Sequence, residues 1–109
     1  MTDRPSRIAL VTGGNSGIGF ATARVLKDLG DTVIITGRRK EALEKAAAEL
    51  GAIPFLADQS KVEDLDRLAA WVTQQFGKLD ILFINAGVTG QSTIEEETAA
   101  LELAARKIR

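Results

Sequence analysis

Four glycines fall within seven residues in "TGGNSGIG", residues 12–19, at positions 13, 14, 17 and 19. Glycine loses more conformational freedom on folding than any other residue, so this density needs a physical reason. The short apolar run Ile8 to Val11 precedes it, and a stretch with helical spacing follows. A glycine turn between a buried strand and a helix is suited to phosphate. The helix N-terminus offers unpaired N–H groups and the positive end of its dipole. The spacing discriminates among phosphate loops. A P-loop needs Lys and Ser/Thr after its last glycine, whereas Phe20 and Ala21 follow Gly19. The common G-x-G-x-x-G spacing fails as well, because Thr22 stands where its third glycine belongs. What fits is G-x-x-x-G-x-G at 13, 17 and 19. In a dinucleotide site, Gly13 would make the tight turn after the strand. Gly17 would let the backbone approach a pyrophosphate, and Gly19 would let the helix pack close to the strand. Asn15 and Ser16 can add hydrogen bonds.

A second group with chemical meaning lies at "TGRRK", residues 36–40. NAD sites usually carry an acid about 20 residues past the glycine motif, at the end of the second strand, where it accepts from the ribose 2′-hydroxyl. Here Gly37 fills that place, and Arg38, Arg39 and Lys40 follow. A carboxylate would repel a 2′-phosphate, whereas a guanidinium pairs with it bidentately. Cations at a helix start oppose the dipole, so helix stability does not account for them. The expected cofactor is therefore NADP rather than NAD. Asp58 and Ser60 are placed to cap a helix, Asp80 to fix the entry of a strand, and Trp71 to cover the core.

These groups need elements to position them. Ile8–Val11, Val33–Ile35, Ile53–Ala57 and Ile81–Ile84 are short apolar runs of the kind buried in parallel sheets. Between them lie three segments with helical character. In Gly17–Leu29 the apolar positions Ile18, Ala21, Val25, Leu26 and Leu29 predict a core-facing stripe. "RRKEALEKAAAELG", 38–51, is rich in helix formers, and Val62–Phe76 keeps helical spacing. Gly30, Gly51 and Gly77 stand where helix-ending glycines belong. Strands alternating with helices predict a doubly wound α/β parallel sheet with right-handed crossovers. "STIEEETAALELAARKIR", 92–109, predicts one more helix, capped by Thr93 with Glu96 three residues on. The expected organisation is a disordered lead-in at 1–6, a dinucleotide-binding domain at 7–90 and a C-terminal helix at 91–109.

The sequence resembles the short-chain dehydrogenase/reductase family. "TGGNSGIG" matches its TGxxxGIG motif at every fixed position, Ile18 included, and "LDILFINAG", 79–87, is similar to its LDILVNNAG signature. Ile84 departs from that signature, while Asn85, Ala86 and Gly87 keep it. The resemblance implies a truncated Rossmann-type sheet of four strands in the order 3-2-1-4. It implies that Asp58 contacts the adenine, with the Gln59 backbone on the same crevice. It makes Arg38 the 2′-phosphate contact, and it makes Asn85 a brace beside Ala86 and Gly87, whose backbone passes the adenosine ribose. The implied reaction is hydride transfer between the nicotinamide and a carbonyl or alcohol, with a tyrosine, lysine and serine as the proton-transfer group.

Composition limits how much of that chemistry fits in 109 residues. The sequence has no His, no Cys and no Tyr, and its formal net charge is −1. A histidine base, a thiolate metal site and a tyrosine acid are each excluded within it, and no catalytic residue is assigned. The charge balance argues against nucleic acid as a partner. The polar "MTDRPSR" start and short apolar runs predict a cytoplasmic chain with no membrane span. The fourth strand would lie at an open sheet edge, which predicts a homo-oligomer through that edge or through the C-terminal helix. Alternatives to a reductase half are a non-catalytic NADP-binding module and a truncated or engineered Rossmann fragment.

Overall fold

The computed structural model describes residues 7–14 and 17–85, together with 103, 106 and 108. Its elements run β1 (Ile8–Thr12), α1 (Gly17–Asp28), β2 (Thr32–Gly37), α2 (Lys40–Leu50), β3 (Ile53–Leu56), α3 (Val62–Phe76) and β4 (Ile81–Phe83). The strands form one parallel sheet in the order β3-β2-β1-β4. Burial follows this order. All of β1, and all of β2 after Thr32, is buried, because these central strands are covered by helices on both faces. β3 and β4 are only part-buried, as befits edges. Pro54 lies in β3, where an edge tolerates a residue that cannot donate to the ladder. Beyond β4, no strand pairs with it among the described residues. The lead-in at 1–6 and most of the C-terminal helix expected at 91–109 lie outside the described residues.

Two apolar layers sandwich the sheet. On one face Ala9, Val11, Val33 and Ile35 pack against Ala23 of α1 and Leu43, Ala46, Ala47 and Leu50 of α2. On the other, Ile8, Leu10 and Ile34 pack against Leu68 and Val72 of α3. Trp71 closes the margin of this second layer. It lies 5.0 Å from the Phe55 ring and 5.9 Å, edge to face, from Phe76. Ile84 and Ile108 also pack on this side, against Leu65 and Ala69.

The helical stripe predicted for α1 is corrected by the structure. Ile18 is 70 % exposed, Val25 58 % and Leu29 51 %, and Ala21 is exposed too. The face against the sheet is instead Gly19 and Ala23, flanked by Phe20 and Leu26. Small residues win this face because α1 lies close to the sheet, with Gly19 directly against the Gly13 backbone. Val25→Ser should therefore change the unfolding free energy by less than about 0.5 kcal/mol, the range for surface substitutions. Urea denaturation checks this, and a loss of core-valine size would restore the predicted face.

The ends of the strands divide the labour. At their N-terminal ends, Arg7 donates to both oxygens of buried Asp31, at 3.1 and 2.9 Å. Asp80 accepts the Ile8 N–H at 2.7 Å and pairs with Lys78 at 3.2 Å. Its own N–H donates to the Ile8 carbonyl, so it fixes the entry of β4 as expected. The C-terminal ends are left to the glycine turn and its neighbours.

Candidate functional site

β1 ends at Thr12, and the chain turns through Gly13 and Gly14 before α1 begins at Gly17. Gly13 and Gly17 have φ of 65° and 59°, a left-handed backbone that a side chain disfavours. The glycines differ in what surrounds them. A methyl group on Gly14 would lie 2.5 Å from Ile35 Cγ2, so Gly14 is needed for the turn to sit on β2. One on Gly19 would overlap the Gly13 carbonyl oxygen and lie 3.0 Å from Asn85 Nδ2. One on Gly17 would meet nothing within 4 Å among the described residues. Gly14 and Gly19 are thus explained by protein packing, whereas no described residue fills the side of Gly17 on which a side chain would stand. The first turn of α1 carries no acidic residue, so its dipole is not neutralised there.

Asn85, at the exit of β4, braces this turn. Its N–H donates to Thr12 Oγ1 at 2.9 Å, and its side-chain amide donates to the Gly13 carbonyl at 3.4 Å. These two bonds tie the exit of β4 to the end of β1 and its glycine turn. Thr12, fully buried, is the partner that the sequence reading missed. Its signal was available: a β-branched hydroxyl at the end of an apolar strand must find a hydrogen bond when buried. A further tie runs from the Gly14 N–H to the Thr36 carbonyl at 3.2 Å, joining the turn to β2.

At the end of β2, Gly37 is buried and Arg38 and Arg39 are exposed. Arg39 is the N-cap residue of α2 and makes no side-chain cap bond. Asp58 follows β3, and the Ala57 N–H donates to the Gly37 carbonyl at 3.0 Å, which holds the two strand exits side by side. Asp58 Oδ1 accepts from the Ser60 N–H at 2.9 Å and the Ser60 hydroxyl at 2.6 Å. Asp58 and Ser60 do not cap α3, as the sequence had predicted. Its N-cap is Lys61, without a side-chain cap bond. Asp58 makes a local turn instead, because Ser60 is within reach two residues on. Gln59, part-buried, sits within that turn.

The electrostatics follow. The Ser60 hydroxyl bond holds the Asp58 carboxyl below its ordinary pKa, with Arg38 and Lys61 adding attraction. The Asp58 N–H lowers Asp64, and the Ile8 N–H lowers Asp80. Depressed carboxylates stabilise the fold above their unfolded pKa of about 4, and that contribution disappears as pH falls through the lower folded values. Stability should be level between about pH 5 and 7 and fall below about pH 4. Urea midpoints measured across that range check the sign, and stability that rises on acidification would contradict it.

The structure therefore brings Gly13, Gly17, Ile18, Gly19, Arg38, Arg39, Asp58, Gln59 and Asn85 to the C-terminal edge of one sheet, with Ile18 largely exposed on α1. Asn15, Ser16, Ala86 and Gly87 lie outside the described residues. In a doubly wound sheet this edge is where ligands bind, and the exit between β1 and β4 is the point at which strand order reverses. Among the described residues, no group of three or more His, Cys, Asp or Glu could hold a metal ion. Nor is any helix among them long and apolar enough to cross a membrane.

Comparison with known proteins bears on the same residues. The family profile described as short chain dehydrogenase matches residues 7–105. A short-chain dehydrogenase/reductase, PhomF′ of Diaporthe leptostromiformis, is 40 % identical over 91 residues, covering 80 % of this chain and 31 % of that protein. Among solved structures, the RhlG/NADP active-site complex of Pseudomonas aeruginosa superposes with a TM-score of 0.82 at 32 % identity. That match covers 94 % of this chain and 46 % of the other. A short-chain dehydrogenase from Streptomyces avermitilis matches with a TM-score of 0.78 at 32 % identity, over 96 % of this chain and 45 % of the other. The chain thus spans less than half the length of each of these relatives.

Proposed function

Because the chain belongs to the short-chain dehydrogenase family, we propose that it is the NADP(H)-binding half of a reductase of that family. The observation that carries this reading is the convergence of three strand exits. The side of Gly17 that the described residues leave open, at the start of α1, suits a pyrophosphate. Gly37 offers the ribose no carboxylate, and exposed Arg38 offers a 2′-phosphate its guanidinium. Asp58, beside Arg38, takes the adenine, with the Gln59 backbone next to it. Gly13, Gly19 and Asn85 hold the turn in shape, and Asn15, Ser16, Ile18, Arg39, Ala86 and Gly87 complete the expected lining. Residues 7–90 act as the dinucleotide-binding unit.

The nicotinamide, when bound, exchanges a hydride with a carbonyl or alcohol carbon. This chain's residues bind and orient the cofactor. The proton that accompanies hydride transfer needs another donor, because the sequence has neither Tyr nor His. On this reading the 109-residue chain binds NADPH without turning over a carbonyl substrate. The same absence favours a second reading, a non-catalytic NADP-binding module.

β4, unpaired on its outer side among the described residues, supports self-association through the sheet edge or the C-terminal helix, and light scattering at high concentration would contradict this by finding only monomer. A cysteine-free sequence supports a reducing compartment such as the cytoplasm. The test of the cofactor reading is titration with NADPH and NADH, followed by nicotinamide fluorescence. NADPH should bind at least about tenfold tighter, the worth of one charge-assisted hydrogen bond. Equal affinity, or tighter NADH, would overturn the preference.

A further inference from the structure

Asp64, in the first turn of α3, belongs to neither glycine motif nor arginine cluster, yet it is tied to the site by two bonds. Its Oδ2 accepts the Asp58 N–H at 2.8 Å. Its Oδ1 accepts from Arg67 Nη2 at 3.3 Å. The same Arg67 nitrogen donates to the Leu56 carbonyl of β3 at 3.2 Å, and its guanidinium lies 5.1 Å over the Phe55 ring. Arg67 is thereby anchored on β3 and holds Asp64 against the strand's exit. The outcome is an Asp58 fixed twice, through its main chain by Asp64 and through its carboxylate by Ser60. A group held this way needs little reordering when a ligand arrives.

We propose that Asp64 is a positioning residue for the adenine end of the site, aiming Asp58 by holding its main chain. The assignment rests on the NADP(H) reading of the site. Asp64 touches no ligand itself; it acts through Asp58. Charge and hydrogen bonding are separable in Asp64→Asn, whose side-chain oxygen can still accept, and both are lost in Asp64→Ala. The probe pair is NADPH and its hypoxanthine analogue, in which a carbonyl replaces the adenine 6-amino group and cannot donate to Asp58. The wild-type chain should prefer NADPH.

In D64A, NADPH affinity should fall about tenfold while the analogue's changes less than about twofold, so the preference collapses. D64N should keep most of the preference. Circular dichroism and melting curves establish that both variants are folded. Equal weakening of both dinucleotides in D64A, an unchanged ratio, or a D64N chain that behaves as D64A would overturn the assignment alone. A wild-type chain that binds neither dinucleotide would overturn the cofactor reading and this assignment with it.

Discussion

Gly19→Ala should cost about 3 kcal/mol of stability, seen as a fall of roughly 10–20 °C in melting temperature. The added methyl has nowhere to go. It would overlap the Gly13 carbonyl oxygen and lie 2.9 Å from the Gly13 carbonyl carbon, both backbone atoms that no rotamer change can move. The Gly13 carbonyl also receives the Asn85 amide, so displacing it disturbs the brace to β4. Either α1 lifts from the turn or the turn leaves β1, and both expose apolar surface. Gly17→Ala is the informative contrast. Its methyl meets no atom of the described residues, and the cost is the strain of a left-handed backbone, about 1–2 kcal/mol. That variant should stay folded and lose dinucleotide affinity, because its methyl occupies the side left open for the phosphates. A Gly19→Ala protein as stable as the parent would mean that α1 stands farther from the turn than described.

Arg38→Ala should weaken NADPH binding by roughly 10- to 100-fold, corresponding to about 1.5–3 kcal/mol for hydrogen bonds to a charged group. NADH, without a 2′-phosphate, should change less than about twofold. The selectivity of the loss carries the meaning, because a general disturbance of the site would weaken both cofactors. Arg38→Lys should recover part of the affinity, since an ammonium keeps the charge but lacks the planar fork. Asp58 gives an internal control. Arg38 is one of the groups that lower its pKa, so removing the guanidinium should raise it. Loss of NADPH and NADH affinity in equal measure would remove Arg38 from the 2′-phosphate role.

Much of this fold was legible because parallel strands buried on both faces leave simple marks. β1 and β2 are apolar runs with turn residues at their ends, and α3 occupies the span its spacing predicts. The strand order came from the family resemblance, not from periodicity, and the structure has that order. α1 was misread because hydrophobic spacing favours large side chains, whereas close packing selects small ones. Gly19 and Ala23 face the sheet, and Ile18, Val25 and Leu29 form an exposed stripe. Residue type alone located the glycines of the site but not what each does. Gly14 and Gly19 are constrained by Ile35 and Gly13, contacts that exist only once β2 and the turn are assembled. The partner of Thr12 and the roles of Asp64 and Arg67 were invisible for the same reason. Each acts through a bond between segments distant in sequence or separated by a turn. Asp58 shows a local competition: a serine two residues away captured the carboxylate that helix-capping rules assign to α3.

The central claim is that NADP(H) lies across the exits of β1, β2 and β3. Backbone amide chemical shifts recorded during an NADPH titration test it most directly. The account predicts saturable shifts at Gly13, Gly14, Gly17, Ile18, Gly19, Arg38, Asp58 and Asn85, with Val25, Leu29 and Thr73 unmoved. NADH should reproduce the set with Arg38 diminished. Absence of shifts at saturating NADPH, or shifts confined to the outer flank of α1 or the far end of α3, would contradict it.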